Sequence, residues 1–128
     1  MERKMERADI AIIGTGPGGV SAALTAKVRN KNILLIGKKQ MSDKVSKAHQ
    51  IMNYPGLPAV TGADMAKAFE KQLAMMEIDI TDSRIGTVYA MGDYFAIQAG
   101  GEVLEAKSVI LACGVVSGKT LPGEEEML

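Results

Sequence analysis

Four apolar residues in succession, Ile10–Ile13, are followed by glycines at 14, 16 and 19, and then by V-S-A-A-L-T-A-K-V-R-N. A short unbroken apolar run predicts a strand buried on both faces, here about Asp9–Gly14. The alanine-rich run lacks proline and glycine and predicts a helix over about Gly18–Asn30. Val20, Leu24 and Val28 recur every fourth position and are expected to face the sheet. N-I-L-L-I-G then predicts a second strand over about Asn32–Ile36, joined to the first by a right-handed βαβ crossover.

The segment Gly37–Pro58 has no period. Pro55 and Pro58 oppose helix, and Tyr54 before Pro55 is expected to be extended. A loop of this length in a small domain is more often functional than idle. Periodicity returns at Thr61, where Thr61 and Asp64 resemble a capping box with Asp in the Glu position. Met65, Phe69, Leu73 and Met76 form an apolar helical stripe, read as a core face in preference to a partner-binding one. Ile78–Ile80 alternates with acids as a short strand does. Ile85–Met91, Tyr94–Ala99 and Glu102–Lys107, separated by Gly92-Asp93 and Gly100-Gly101, predict three antiparallel strands. Ser108–Gly114 predicts a third buried parallel strand ending in glycine. The pattern is α/β: a central parallel sheet carrying an antiparallel meander. No internal repeat or low-complexity linker interrupts it.

Composition narrows this picture. A chain of 128 residues, 47% hydrophobic and 23% charged, suits one domain with a real core. Fifteen basic and fifteen acidic residues cancel, which argues against nucleic-acid or membrane-surface binding driven by bulk charge. One cysteine, Cys113, and one histidine, His49, exclude an internal disulfide, a cysteine metal cluster and a multi-histidine site. The charged start M-E-R-K-M-E-R is no signal peptide, and no apolar run reaches membrane-spanning length. Residues 1–8 are expected to be a leader ahead of a domain over 9–128, and the expected location is cytoplasmic.

Strand, G-x-G-x-x-G and helix together form the phosphate-binding corner of a dinucleotide fold. Gly14 permits the tight turn, Gly16 lets a pyrophosphate approach the backbone, and Gly19 lets helix and strand pack closely. Free N–H groups at the helix start face the anion. Such corners place an acidic residue at the end of the second strand to hold ribose hydroxyls. That place is held by Gly37, followed by Lys38 and Lys39. Either the backbone at Gly37 holds the ribose of FAD, or the lysines take the 2′-phosphate of NADP. Local chemistry leans toward NADP, and a solvated lysine pair is the bland alternative.

The order of motifs bears on that choice. D-I-A-I-I-G-T-G-P-G-G at Asp9–Gly19, N-Y-P-G at Asn53–Gly56, T-G-A-D-M at Thr61–Met65, V-I-L-A-C-G at Val109–Gly114 and L-P-G-E at Leu121–Glu124 resemble the first FAD-binding segment of the thioredoxin reductase family. The R-N-K in the tail of the first helix and Y-A-M-G-D-Y-F at Tyr89–Phe95 resemble the clostridial flavin thioredoxin reductases, some of which are reduced by ferredoxin or lack a working NADPH site. The resemblance implies a Rossmann-like, three-layer FAD-binding fold, here incomplete. It implies FAD pyrophosphate on Gly14, Gly16, Pro17 and Gly18, the adenosine side by Gly37 and Lys38 with Ile85 near the adenine, Asn53 by the flavin, and Ala112, Cys113 and Gly114 close to the cofactor. It also implies a thioredoxin-like protein substrate, a homodimer at full length, and NADPH as a possible electron donor. Two departures stand out. The family's G-G-Q-L element is replaced by M-S-D-K-V-S-K-A, and its A-T-G by A-C-G. The family's redox-active C-x-x-C pair, its nicotinamide domain and the second half of its FAD domain are missing, so the chain reads as part of a longer enzyme.

Single residues carry weaker signals. Cys113 has no basic neighbour and no second cysteine, so it reads as a small buried residue beside the cofactor and not as a nucleophile. His49 lies four residues before Asn53 and reads as a surface residue. Asn53 can donate to and accept from a flavin edge, or it can brace the turn at Pro55-Gly56. Glu124–Glu126 reads as a solvated end. Two other functions stay open: an NADP-binding Rossmann module without redox activity, using Lys38 and Lys39, and an interaction protein on the same scaffold.

Overall fold

The structure, a computed structural model, describes residues 6–40 and 47–114. The chain order is β1 (Ala8–Ile13), α1 (Pro17–Val28), β2 (Ile33–Gly37), α2 (Gly62–Met75), β3 (Ile80–Asp82), β4 (Ile85–Ala90), β5 (Phe95–Ala99) and β6 (Glu102–Leu111). The strands form one sheet in the order β3-β2-β1-β6-β5-β4. Strands β3, β2 and β1 are mutually parallel, and β4 and β5 pair antiparallel.

Strand β6 does two jobs. Glu102–Ala106 pairs antiparallel with β5, while Ala106–Leu111 pairs parallel with β1. The separate strands expected at Glu102–Lys107 and Ser108–Gly114 are therefore one strand. No glycine or proline lies between Glu102 and Leu111, so nothing in the sequence turns the chain there. Nor is the parallel end of β6 buried. Ile110 is 39% and Leu111 71% exposed, because no described element covers them. The short third strand also starts later than expected, at Ile80, and Ile78 is a buried residue ahead of it.

Side-chain alternation splits the core in two. Ile12 and Leu35, with Ile10 and Ile33 beside them, face the helices and meet Val20, Ala23, Met65, Phe69 and Leu73. Ala11 and Ile36, with Leu34, face the other way and meet Ile97, Ala99, Leu104 and Ala106 of the meander. Helices, parallel sheet and meander are thus three layers, as expected. The stripe on α2 is a core face: Met65, Phe69 and Leu73 are buried, and Met76 packs at its edge.

Helix α1 departs from expectation at its far end. Val20 is buried, Leu24 is half-buried and Val28 is 70% exposed. Val28 is the last residue of the helix, next to its C-cap Arg29, and lies off the buried face. The buried face is instead Gly19, Val20, Ala23 and Ala26, small residues that let the helix lie close to the sheet.

The N-cap of α2 is real. The Asp64 N–H donates to Thr61 Oγ1 at 3.1 Å. Thr61→Ala is expected to cost about 1 kcal/mol, read as a lower denaturant midpoint of the protein carrying this chain, with no effect on cofactor affinity.

At the opposite edge of the sheet, Asp9 links three strands. Its carboxylate accepts the Asn32 N–H at 2.9 Å, and Lys107 Nζ lies 3.5 Å away. The Asn32 hydrogen bond, helped by Lys107 and Lys31, holds the Asp9 carboxyl below the usual carboxylate range against an opposing desolvation. A depressed folded pKa stabilises the fold above about pH 4, and that contribution is lost as pH falls through the folded value. Asp9→Asn is therefore expected to be less stable than wild type at pH 7, with the gap closing in acid denaturation series below about pH 4.

Candidate functional site

The carboxyl ends of β1, β2, β3 and the parallel half of β6 all meet one edge of the sheet. In open α/β sheets, ligands bind in the crevice outside that edge. Gly14 leaves β1 with φ +119°, a conformation that strains any other residue. A Cβ on Gly14 would lie 1.9 Å from the Ala112 carbonyl oxygen, so the turn and the end of β6 touch backbone to backbone. Their order is fixed by two hydrogen bonds: the Gly14 N–H donates to Ile36 O at 2.9 Å, and the Ala112 N–H to Ile13 O at 2.8 Å. A Cβ on Gly19 would lie 1.8 Å from Gly14 O, the close helix-to-turn packing expected of the third glycine.

Gly16 behaves differently. Its φ of −77° and ψ of −171° are ordinary extended backbone, and a Cβ there would meet nothing within 4 Å. It is the N-cap of α1, with Pro17 next. No side chain caps the helix and no acid lies in its first turn. The N–H groups at the start of α1 therefore have no side-chain acceptor, and the helix dipole adds positive potential there. This is a cradle for an anion.

Most of the expected site residues converge here. Gly14, Gly16, Pro17 and Gly18 form the corner, and Gly18 approaches the Ala112 Cβ. Gly37 and Lys38 follow from β2, and Lys38 O accepts a hydrogen bond of 2.8 Å from Thr15 Oγ1. The Ser83 N–H donates to Gly37 O at 3.3 Å, which brings Arg84 and Ile85 to the same edge. They line a cleft of about 320 Å³ with Gly86, Gln98 and Gly100. Cys113 is beside Ile13, its thiol 3.9 Å from the Ile13 carbonyl oxygen. Cys113 is exposed, not buried as expected, because no described element covers the end of β6. Gly114 follows with φ +68°.

Asn53 makes no hydrogen bond to the corner among the described residues. It precedes a tight turn in which the Leu57 N–H donates to Tyr54 O at 3.2 Å, with Pro55 and a positive φ of 86° at Gly56. The Tyr54 ring packs on Phe69, centroids 5.5 Å apart, and this fixes the turn to α2. Asn53 and His49 are both exposed. The M-S-D-K-V-S loop, L-P-G-E and Glu124–Glu126 lie outside the described residues. Thr15 escaped the sequence reading, although it lies inside the glycine signature. It is the one buried polar side chain among the described residues.

Among the described residues there is no cluster of three metal-ligating side chains, and no helix long and apolar enough to cross a membrane. The sheet, the meander and the glycine corner define a Rossmann-type dinucleotide-binding domain. Comparison with known proteins takes this further. A family profile described as "Pyridine nucleotide-disulphide oxidoreductase" matches residues 8–128, and the chain belongs to that family. It is 36% identical over 122 residues to thioredoxin reductase of Helicobacter pylori, covering 92% of this chain and 39% of that protein. It is 28% identical over 127 residues to a "34.2 kDa protein in rubredoxin operon" of Clostridium pasteurianum, covering 98% and 41%. A ferredoxin-flavin thioredoxin reductase from Clostridium acetobutylicum superposes with a TM-score of 0.87 at 45% identity, covering 97% of this chain and 43% of that one. The chain thus spans about two fifths of the length of the relatives it matches.

Proposed function

We propose that this chain is the FAD-binding part of a thioredoxin reductase-like disulfide oxidoreductase. The observation that carries the reading is the Gly16 corner. A helix start without a side-chain cap, under open space at a glycine whose backbone does not need to be glycine, suits an incoming pyrophosphate. The thioredoxin reductases among the relatives support FAD over NADP at this corner.

In this reading the N–H groups of Gly16, Pro17's successor Gly18 and the first turn of α1 hold the pyrophosphate. Gly37, Lys38 and Ile85 border the adenosine, Asn53 meets the flavin edge, and Ala112, Cys113 and Gly114 close the corner from β6. Bound FAD supplies the two-electron chemistry, and the residues here bind and orient it. The electrons leave through a cysteine pair outside this chain to a thioredoxin-like protein, with NADPH or a ferredoxin as donor. We place the whole enzyme in the cytoplasm as a homodimer.

The test is the absorbance spectrum of the purified protein that carries this chain, with the cofactor identified after release. Stoichiometric FAD is expected. A colourless protein that binds NADP about tenfold more tightly than NAD, a difference of about 1.4 kcal/mol, overturns the reading in favour of an NADP module on Lys38 and Lys39.

A further inference from the structure

The end of β2 carries glycine where a dinucleotide corner ordinarily carries a carboxylate for the ribose hydroxyls. The structure gives the reason. Gly37 does not have a positive φ, so its backbone accepts any residue. What forbids a side chain is Thr15. A Cβ on Gly37 would lie 2.7 Å from Thr15 Cγ2 and 3.1 Å from Thr15 Oγ1. Thr15 cannot step aside, because its hydroxyl donates to Lys38 O at 2.8 Å and its side chain is buried. A β-branched residue has few alternative rotamers to offer. The carbonyls of three successive residues are thereby engaged: Ile36 by the Gly14 N–H, Gly37 by the Ser83 N–H and Lys38 by Thr15.

We infer that Thr15 is the specificity-determining residue at the adenosine end of this site: its side chain fills the room a carboxylate on β2 needs, and it clasps the chain so that only backbone and Lys38 face the ribose. Without that carboxylate, nothing on β2 repels a 2′-phosphate. This inference rests on the corner's being a dinucleotide site, and holds whichever dinucleotide binds. Thr15 and Gly37 are then coupled: an acid at 37 becomes possible only when Thr15 is cut back.

The experiment uses the protein that carries this chain, in cofactor-free form, with Thr15→Ala, Gly37→Glu and the double variant. The probes are ADP, the half common to FAD and NADP, and its 2′-phosphorylated form, both followed by calorimetry. Gly37→Glu alone is expected to lose at least about tenfold in affinity for both probes, since the side chain displaces the corner. The double variant is expected to return to within about threefold of Thr15→Ala for ADP, and to disfavour the 2′-phosphorylated probe by more than about tenfold. That change of preference is a readout that a merely structural threonine does not move. If Gly37→Glu alone does not fold, the double variant's recovery of a cooperative thermal transition together with ADP binding supports the clasp. A Gly37→Glu protein that binds ADP like wild type, or a double variant that recovers no ADP binding, overturns it. Wild-type protein that binds ADP yet retains no FAD overturns the proposed function while these ADP results decide the clasp on their own.

Discussion

Gly14→Ala is expected to unfold the corner and take the cofactor site with it. The added methyl would lie 1.9 Å from Ala112 O and 2.6 Å from Ala112 C, both main-chain atoms that cannot rotate away. Relief requires the end of β6 to part from β1, breaking the 2.8 Å hydrogen bond from the Ala112 N–H to Ile13 O. The residue must also hold φ +119°, which only glycine tolerates without strain. Backbone strain of about 1–3 kcal/mol adds to an overpacking cost of about 1–3 kcal/mol. A domain stable by about 5–15 kcal/mol loses a large share of its margin. Thermal unfolding of the protein carrying this chain is expected to show a Tm lower by about 10 °C or more. Gly19→Ala is expected to behave alike, since its methyl would meet Gly14 O at 1.8 Å. A Gly14→Ala protein as stable as wild type would mean that β6 does not end against this turn.

The elements that sequence pattern predicts best are those in which local and tertiary signals agree. Ile10–Ile13 and Ile33–Ile36 are apolar on both faces, and both faces are in fact covered, one by helices and one by the meander. The α2 stripe works for the same reason: Met65, Phe69 and Leu73 follow the helical period closely enough to stay on one face. Val28 fails because it is the last residue of α1, beside the C-cap Arg29 and off the Gly19, Val20, Ala23 and Ala26 face that meets the sheet. The continuity of β6 is missed because polarity changes at Lys107 while chain direction does not. Its alternating first half pairs with β5 as the last strand of the meander and its apolar second half pairs with β1, so one strand carries two patterns. The absence of any glycine or proline between residues 102 and 111 was the available signal.

The site divides the same way. The glycine corner is legible because Gly14 and Gly19 answer local backbone demands while Gly16 leaves open space, and together they form a spacing signature. Exposure of Cys113 is not legible, since an apolar strand ending looks the same whether or not another layer covers it. The Thr15–Gly37 contact joins residues 22 positions apart across two strands. It becomes visible only when register sets the ends of β1 and β2 side by side. Sequence alone showed a missing acid at Gly37 and two lysines after it. The contact explains the missing acid without invoking the lysines.

Gly16→Ser is expected to separate binding from folding, with opposite signs. Gly16 is in ordinary extended backbone with open space around its Cβ position, so nothing in the fold asks for glycine. Serine at an N-cap supplies an acceptor for the free N–H groups of the first turn, which stabilises the fold by a few tenths of a kcal/mol relative to glycine. The same hydroxyl then competes for the donors a pyrophosphate needs, and its Cβ stands in the path of approach. Hydrogen bonds to a charged group contribute about 1.5–3 kcal/mol each, so the loss of one weakens FAD binding on the order of 10- to 100-fold. The measurements are the Tm of the cofactor-free protein and the FAD dissociation constant from flavin fluorescence. An unchanged or slightly raised Tm with weakened FAD binding identifies Gly16 as glycine for the ligand's sake. Unchanged FAD affinity would place the pyrophosphate elsewhere, and a fallen Tm would make Gly16 structural like Gly14. Because Gly14→Ala is expected to lose both properties and Gly16→Ser only one, the pair distinguishes a turn built for the chain from a turn built for its cofactor.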